Sequence, residues 1–313
     1  MPSLYIDNPE LRLPAIAKQL ALPVSLIRHF DGVRTNSFAG ESPAAFDTLF
    51  PVLIFSHGLS GMHNQNSSLM EELASHGYVL LAPDHSYDAN IAIFDNGEIA
   101  EYRAGKRRVL KGNRLEHVDL SKIAIRVSDI RFILDKIEMH DGDSLLEGVP
   151  YDSHNIGIIG QSLGGATAIS TLGVDQRIQA AMILDGWYIP VPDTVLSLGV
   201  NVPIFHLGQR EWSDAKNYER MDRLMFNGRG PFFKLLIQDT QHTDYTDMPL
   251  FTPFSHLIGY TGIDDPVWLN NIIRQSAVKF FNTYLKGSDS QSFQTLIANI
   301  PETSSYLFIP TSR

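Results

Sequence analysis

Six short apolar runs punctuate the chain: "PVLIFS" (51–56), "YVLLAP" (78–83), "NIGIIG" (155–160), "AAMILD" (180–185), "PIFHLG" (203–208) and "FFKLLIQ" (232–238). Their hydrophobicity is almost continuous, where a strand with one solvated face would alternate, so they predict parallel strands covered on both faces. Between them lie segments of helical period. Ile123, Val127, Ile130, Leu134 and Ile137 recur at steps of four, three, four and three and predict a helix over 118–139, with its charges mostly on the opposite side. A second helix is expected from Pro9 to Leu22, with Asn8 as cap, Pro9 at the first helical position and a stripe of Leu13, Ile16, Ala17 and Leu20. A third is expected from Pro266 to Lys286. Alternating strands and helices predict an α/β protein with a mostly parallel, twisted sheet and helices on both faces. No repeat or linker divides the 313 residues, which suit one domain.

Composition narrows the function. A net charge of −10 argues against a nucleic-acid partner, because neutralising phosphates requires an excess of Lys and Arg. The chain has no cysteine, which excludes disulfides and thiolate chemistry. No apolar run reaches the ~18 residues of a spanning helix. The start "MPSLYIDNPE" lacks a signal peptide's basic and apolar regions, so a cytoplasmic location is expected unless an export signal has been removed.

The informative stretch is "IIGQSLGGA" (158–166), which contains Gly160-Gln161-Ser162-Leu163-Gly164. Gly-x-Ser-x-Gly alone is common. Here it directly follows a predicted strand and precedes the helix-compatible "GGATAISTL", the setting of a nucleophile elbow. Glycines two residues either side of Ser162 leave room for a strained backbone against neighbouring elements. The lysine of a phosphate-binding loop is absent.

A serine hydroxyl needs a base to take its proton and a carboxylate to orient that base. His242 follows the last strong strand, within "QDTQHTDYTD", and is the expected base; His256 is the rival. His206 lies inside a strand and reads as a packed core histidine, while His57 shapes the loop after the first strand. For the acid, Asp185 ends one strand, and Glu211 and Asp214 follow the next. Position does not decide between them. The apolar flanks of Asp185, "MIL" and "GWY", imply a partner for its charge, and Asp214 has the look of a helix cap. The oxyanion hole requires two backbone N–H groups, expected from Leu163 and from Leu59 in "FSHGLSG" (55–61). Trp187 and Tyr188, just after the acid, are expected to shorten the acyl pocket. No ligand spacing for a metal is present, and none is assigned.

Four stretches in order, "FSHGL", "GQSLGGAT", "LDGWYIP" and "QHTDYTD", resemble the plasma and intracellular type II platelet-activating factor acetylhydrolases, the calcium-independent group VII phospholipases A2, over about residues 50–290. The resemblance implies the α/β-hydrolase fold and hydrolysis of short sn-2 acyl esters of phospholipids, without a cofactor. It also implies Asp185 as the acid, His242 as the base and Ser162 as the nucleophile. Three departures stand out: Tyr245 where the family has Phe, Gln161 where His is common, and no opening antiparallel strands in residues 1–50, a segment read as divergent or truncated. A general carboxylesterase or cutinase-like polyester hydrolase with the same triad is the alternative, and a non-catalytic binding module on this fold is a third. The segment "RAGKRRVLKGNR" (103–114) holds six basic residues, which could contact anionic lipid head groups or form a solvated loop.

Overall fold

The computed structural model describes residues 1–43, 48–105, 107–111, 114–118, 121–139, 146, 148–251, 255–256, 259–262, 265–301 and 303–308. Seven strands form the main sheet: β1 (Phe50–Ser56), β2 (Val79–Leu81), β3 (Tyr151–Gln161), β4 (Ile178–Leu184), β5 (Ile204–Gln209), β6 (Phe232–Ile237) and β7 (Thr303–Phe308). Their spatial order is β7-β6-β5-β4-β3-β1-β2. All neighbours are parallel except β6 and β7, which are antiparallel.

The apolar runs specify this sheet because each side of it is covered. Along β1, Val52 and Ile54 enter one core while Leu53 and Phe55 enter the other. Helices α3 (Lys122–Met139), α4 (Leu163–Leu172) and α5 (Lys216–Asn227) pack on the first face; α2 (Ser67–Ser75), α6 (Pro266–Leu285) and α7 (Ser290–Ala298) pack on the second. The sequence of strand, helix and crossover, with the switch in strand order at β3 and β1, is the α/β-hydrolase fold.

Several boundaries differ from expectation. β3 begins at Tyr151 because Phe50 and Pro51 pair with Tyr151 and Asp152 ahead of a bulge, which polar residues 152–155 hide from any reading of apolar runs. The expected helix over 118–139 starts at Lys122; Val118 ends an antiparallel ribbon of Arg107–Lys111 with Arg114–Val118, and residues 119–120 lie outside the described residues. The ribbon accounts for most of the basic segment, whose side chains from 106 onward also lie outside the described residues. Arg126 falls on the buried face of α3, against the expected segregation of charge.

Helix α1 (Pro9–Leu20) forms as predicted, stopping two residues early at Ala21, whose φ is +54°. Asn8 does occupy the cap position, but its side chain makes no capping bond; its backbone carbonyl accepts from Leu11 and Arg12 instead. Asp265 does cap α6, accepting from the Trp268 N–H. Before β1, strand-like pairing among the described residues is a single antiparallel bridge between Leu4 and Arg34. The N-terminal segment nevertheless has its own apolar cluster of Tyr5, Ile6, Leu13, Ile16, Ala17, Ile27 and Phe30, with Phe251 packed against it. It is tied down by Arg12, which is buried and bonds Asp7 (2.8 Å), Asp84 (2.9 Å) and the Ile91 carbonyl (2.8 Å).

Candidate active site

Ser162 stands between the last residue of β3 and the first of α4, with φ +56° and ψ −116°. Close packing of α4 on the sheet imposes this strained turn. A Cβ on Gly160 would collide with the Gly164 carbonyl, and one on Gly164 with the carbonyl of Ser56 in β1. The Ser162 N–H donates to Leu184 O (3.0 Å), and its carbonyl accepts from Trp187 (2.9 Å) and Gly165 (3.0 Å), which over-determines the turn.

Asp185 lies one residue beyond β4, also at positive φ (+42°), and is fully buried. Its carboxylate is satisfied on every side. Oδ1 accepts from the Gln209 N–H (3.1 Å) and Trp212 Nε1 (3.0 Å); Oδ2 accepts from Gln209 Nε2 (2.7 Å) and lies 2.5 Å from His242 Nδ1. His242 Nε2 lies 2.8 Å from Ser162 Oγ. The three residues named from sequence as nucleophile, base and acid are thus brought into one hydrogen-bonded line. With Nδ1 protonated toward the carboxylate, Nε2 is left to accept the serine proton. The Trp212 ring meets the imidazole edge-on at 5.2 Å.

The competing residues lie elsewhere. Glu211 is exposed, and Asp214 caps the start of α5 through Lys216 N (3.0 Å). His256 is exposed and does not line the cavity described below. His206 is a core residue beside the Tyr188 hydroxyl (3.1 Å), and burial lowers it to about 3. His57 organises the loop after β1: Nδ1 donates to Gly58 O (2.7 Å) and Nε2 accepts from His85 N (3.0 Å). Acceptance at Nε2 requires a neutral ring, which burial and then the Arg126 charge favour by holding His57 well below its ordinary value. Arg126 itself, ion-paired with Asp88, donates to His57 O (2.7 Å) and Gly58 O (3.2 Å). Loop 57–61 is held by the His57 and Gly58 carbonyls and by the Ser60 N–H, which donates to Asp88 O (3.0 Å), and among the described residues the Leu59 and Leu163 N–H groups have no hydrogen-bond acceptor.

A second Ser-His-Asp array lies beneath that loop. Ser56 Oγ is 3.0 Å from His85 Nε2, and His85 Nδ1 is 2.8 Å from Asp129. Ser56 is fully buried and does not line the cavity described below, so this array ties β1 to α3.

The loop carrying His242 is anchored from below. Asn66 Nδ2 donates to Tyr245 O (2.9 Å), and the Asp247 N–H donates to Gln65 O (2.9 Å). The Asp247 carboxylate accepts from Ser68 N (3.0 Å) and Ser68 Oγ at the start of α2. Tyr245, where the family has Phe, is fully buried and uses its hydroxyl on Thr240 (2.9 Å). Burial pushes Asp247 up to about 7, against the Ser68 hydrogen bonds, which lower it. A raised folded-state value means that this group favours the folded state fully below the unfolded carboxylate value of about 4 and ceases to do so as pH rises toward 7. Asp247→Asn is therefore expected to remove one component of stability loss between pH 4 and 7. Melting temperature against pH, measured for both proteins, checks this; parallel curves would exclude it.

Beside the Ser162–His242 pair opens a cavity of about 160 Å³ lined largely by apolar groups. Its walls come from the oxyanion loop (58–62), Gln161 and His242, then Met248 and Phe251, and from the N-terminal segment, with Tyr5, Ile6, Ile16, Leu20 and Phe30. Gln161, where His is common in the family, bridges to Gln65 (3.1 Å) and sits 3.5 Å from His242 Nε2. The expectation for Trp187 and Tyr188 is corrected: both are buried in the core on the first face of the sheet and neither lines this cavity. The chain turns them inward because the Trp187 N–H is drawn to Ser162 O and the Tyr188 N–H to Asn217 Oδ1 (2.6 Å). The pocket walls that sequence reading missed come from residues 1–33 and 246–251. Their apolar stripes are visible, but which site they cover is not.

Comparison with known proteins bears on the family of the chain. The family model for platelet-activating factor acetylhydrolase, isoform II, matches residues 20–302. The platelet-activating factor acetylhydrolase of Bos taurus is 26% identical over 289 residues, covering 82% of this chain and 62% of that protein. That of Cavia porcellus is 24% identical over 263 residues, 78% of this chain and 60% of the relative. The chain thus spans about three fifths of the length of these relatives. A ferulic acid esterase from Streptomyces cinnamoneus superposes with a TM-score of 0.75 at 26% identity, over 97% of this chain and 84% of the esterase. The chain belongs to the platelet-activating factor acetylhydrolase, isoform II, family.

Proposed function

We propose that this protein is a serine carboxylic-ester hydrolase of short acyl esters, with the sn-2 acetyl or short oxidised acyl groups of phospholipids as its substrate class. The observation that carries the reading is the line from Asp185 through His242 to Ser162, with separations of 2.5 and 2.8 Å, at the wall of a small apolar cavity. Ser162 Oγ attacks the ester carbonyl while His242 Nε2 takes its proton. The carbonyl oxygen, now anionic, accepts from the Leu59 and Leu163 N–H groups. Collapse expels the alcohol, which receives the proton from His242, and leaves an acyl-serine. Water then attacks the acyl carbon by the same route, with His242 first as base and then as acid, and releases the carboxylic acid. Asp185 stays ionised and holds the imidazole in the tautomer that the first step requires.

The likeness to a ferulic acid esterase supports a second reading, a general carboxylesterase with the same machinery. Substrate profile separates the two. On p-nitrophenyl esters, kcat/KM is expected to peak between acetate and butyrate and to fall at least about tenfold by decanoate, because a chain that outgrows the cavity must distort its walls to enter, and one that stays in water forgoes about 0.8 kcal/mol per methylene. A profile that rises steadily with chain length would exclude the short-acyl reading, and absence of any p-nitrophenyl acetate hydrolysis would exclude both.

A further inference from the structure

On the other flank of α1 lies a second, larger groove of about 740 Å³. Gln19 and Ser60 line both it and the cavity beside Ser162. The boundary between them is polar and held by hydrogen bonds. Gln19 Nε2 donates to Ser60 Oγ (2.7 Å), Asn90 Nδ2 donates to Gln19 Oε1 (2.9 Å), and Ser60 Oγ donates to Leu59 O (2.7 Å). Beyond this rim the groove is walled by Leu11, Pro14 and Ala15 of α1 and by Ile91 and Ile99 of the ribbon Ile91–Ile93 with Ile99–Glu101. Glu10 and Glu101 line it against Lys18, two negative charges to one positive, which favours a neutral ligand over a fatty-acid anion. α1 and the ribbon are fastened together by the buried Arg12, which bonds the Ile91 carbonyl, so the groove is a built feature with a fixed shape.

We propose that this groove is a hydrocarbon-chain subsite continuous with the active-site cavity, and that Gln19 sets the chain length the enzyme accepts by holding the rim between them. The occupant is an alkyl chain of a neutral ester. The proposal rests on the esterase reading for its kinetic test. A chain crossing the rim must cover or break the bonds from Gln19 to Ser60 and Asn90, and leaving such groups unpaired is unfavourable. Short chains stop before the rim and do not meet this barrier. Truncating Gln19 removes it, after which each methylene that reaches the apolar wall improves transition-state binding by about fourfold.

The test compares ratios within each protein. In Gln19→Ala, the ratio of kcat/KM for p-nitrophenyl decanoate to that for the acetate is expected to rise about tenfold or more above wild type if the acyl chain enters the groove. The ratio for decyl acetate to methyl acetate rises instead if the alcohol chain does so. In the double variant Gln19→Ala/Ile99→Trp the gain is expected to disappear, because indole fills the groove from a position whose side chain is already 43% exposed and so tolerates bulk. Binding of 1-octanol, read by saturation-transfer NMR, provides an arm that needs no turnover: it strengthens in Gln19→Ala and weakens again in the double variant. If neither ratio rises and octanol binding is unchanged in folded Gln19→Ala, or if the gain survives Ile99→Trp, the subsite assignment is overturned. Lack of ester hydrolysis in the wild type, with the octanol response intact, would overturn the esterase reading alone.

Discussion

Ser162→Ala is expected to lower kcat/KM for p-nitrophenyl acetate by about 10⁴- to 10⁶-fold while leaving the melting temperature close to wild type. The size of the loss follows from function as a unit: without Oγ, His242 has no proton to take and no acyl-enzyme forms. What remains is the contribution of the oxyanion hole and substrate binding to attack by water. The fold should survive because the strain at Ser162 lies in its backbone, at φ +56°, and alanine meets the same strain as serine there. The backbone bonds to Leu184, Gly165 and Trp187 are also unaffected by the change. The second Ser-His-Asp array supplies the control. Ser56 is buried away from the cavity, so Ser56→Ala should perturb packing of the oxyanion loop without the catalytic loss. A purified Ser162→Ala protein with a tenth of wild-type turnover would place the nucleophile elsewhere.

Asp185→Asn is the second large effect, expected to cost about 10³- to 10⁴-fold in kcat. On the proposed mechanism the carboxylate, 2.5 Å from His242 Nδ1, holds the Nδ1–H tautomer and stabilises the imidazolium that forms during attack. An amide there must present either its oxygen, which keeps the tautomer but loses the charge, or its NH₂, which forces the proton onto Nε2 and blocks acceptance from Ser162. It also faces three other donors, the Gln209 N–H, Gln209 Nε2 and Trp212 Nε1, which all point at this carboxylate. An NH₂ toward any of them leaves a buried donor unpaired. Glu211→Gln and Asp214→Asn are expected to cost less than about tenfold, since one side chain is exposed and the other caps α5. Steady-state kinetics on the three variants decides the matter: a loss at Glu211 or Asp214 that matched the loss at Asp185 would remove Asp185 from its role.

Much of this arrangement was legible along the chain because it rests on local chemistry. Buried parallel strands must be apolar on both faces, and the six apolar runs mark six of the seven strands of the main sheet. The elbow is legible because the same few residues must supply a strand, two glycines and a helix start. The seventh strand, Thr303–Phe308, escaped notice because it is an antiparallel edge strand whose "TSSYLF" has half its length polar. Position along the chain does not separate Asp185, Glu211 and Asp214 as the acid, and only the family resemblance singles out Asp185. The structure separates them by burial and by the four donors around one carboxylate, two of which come from Gln209, itself an unremarkable polar residue at the end of β5.

The class of fold, the strained turn at Ser162 and the kinds of residue available for proton transfer are local properties of the chain, since each depends on side chains within a few positions of one another. Which groups meet depends on the packed chain. Asp185 and His242 are 57 residues apart, and Ser162 and His242 are 80 apart. The same packing sets where the bulky residues go. Trp187 and Tyr188 stand next to the acid in sequence yet turn into the core, while Tyr5, Ile16 and Phe30, more than 130 residues before the nucleophile, wall the cavity beside it. The physical reason is that burial of apolar surface carries no directional or sequence address: a hydrophobic stripe states that it must be covered, and only the packed chain states by what.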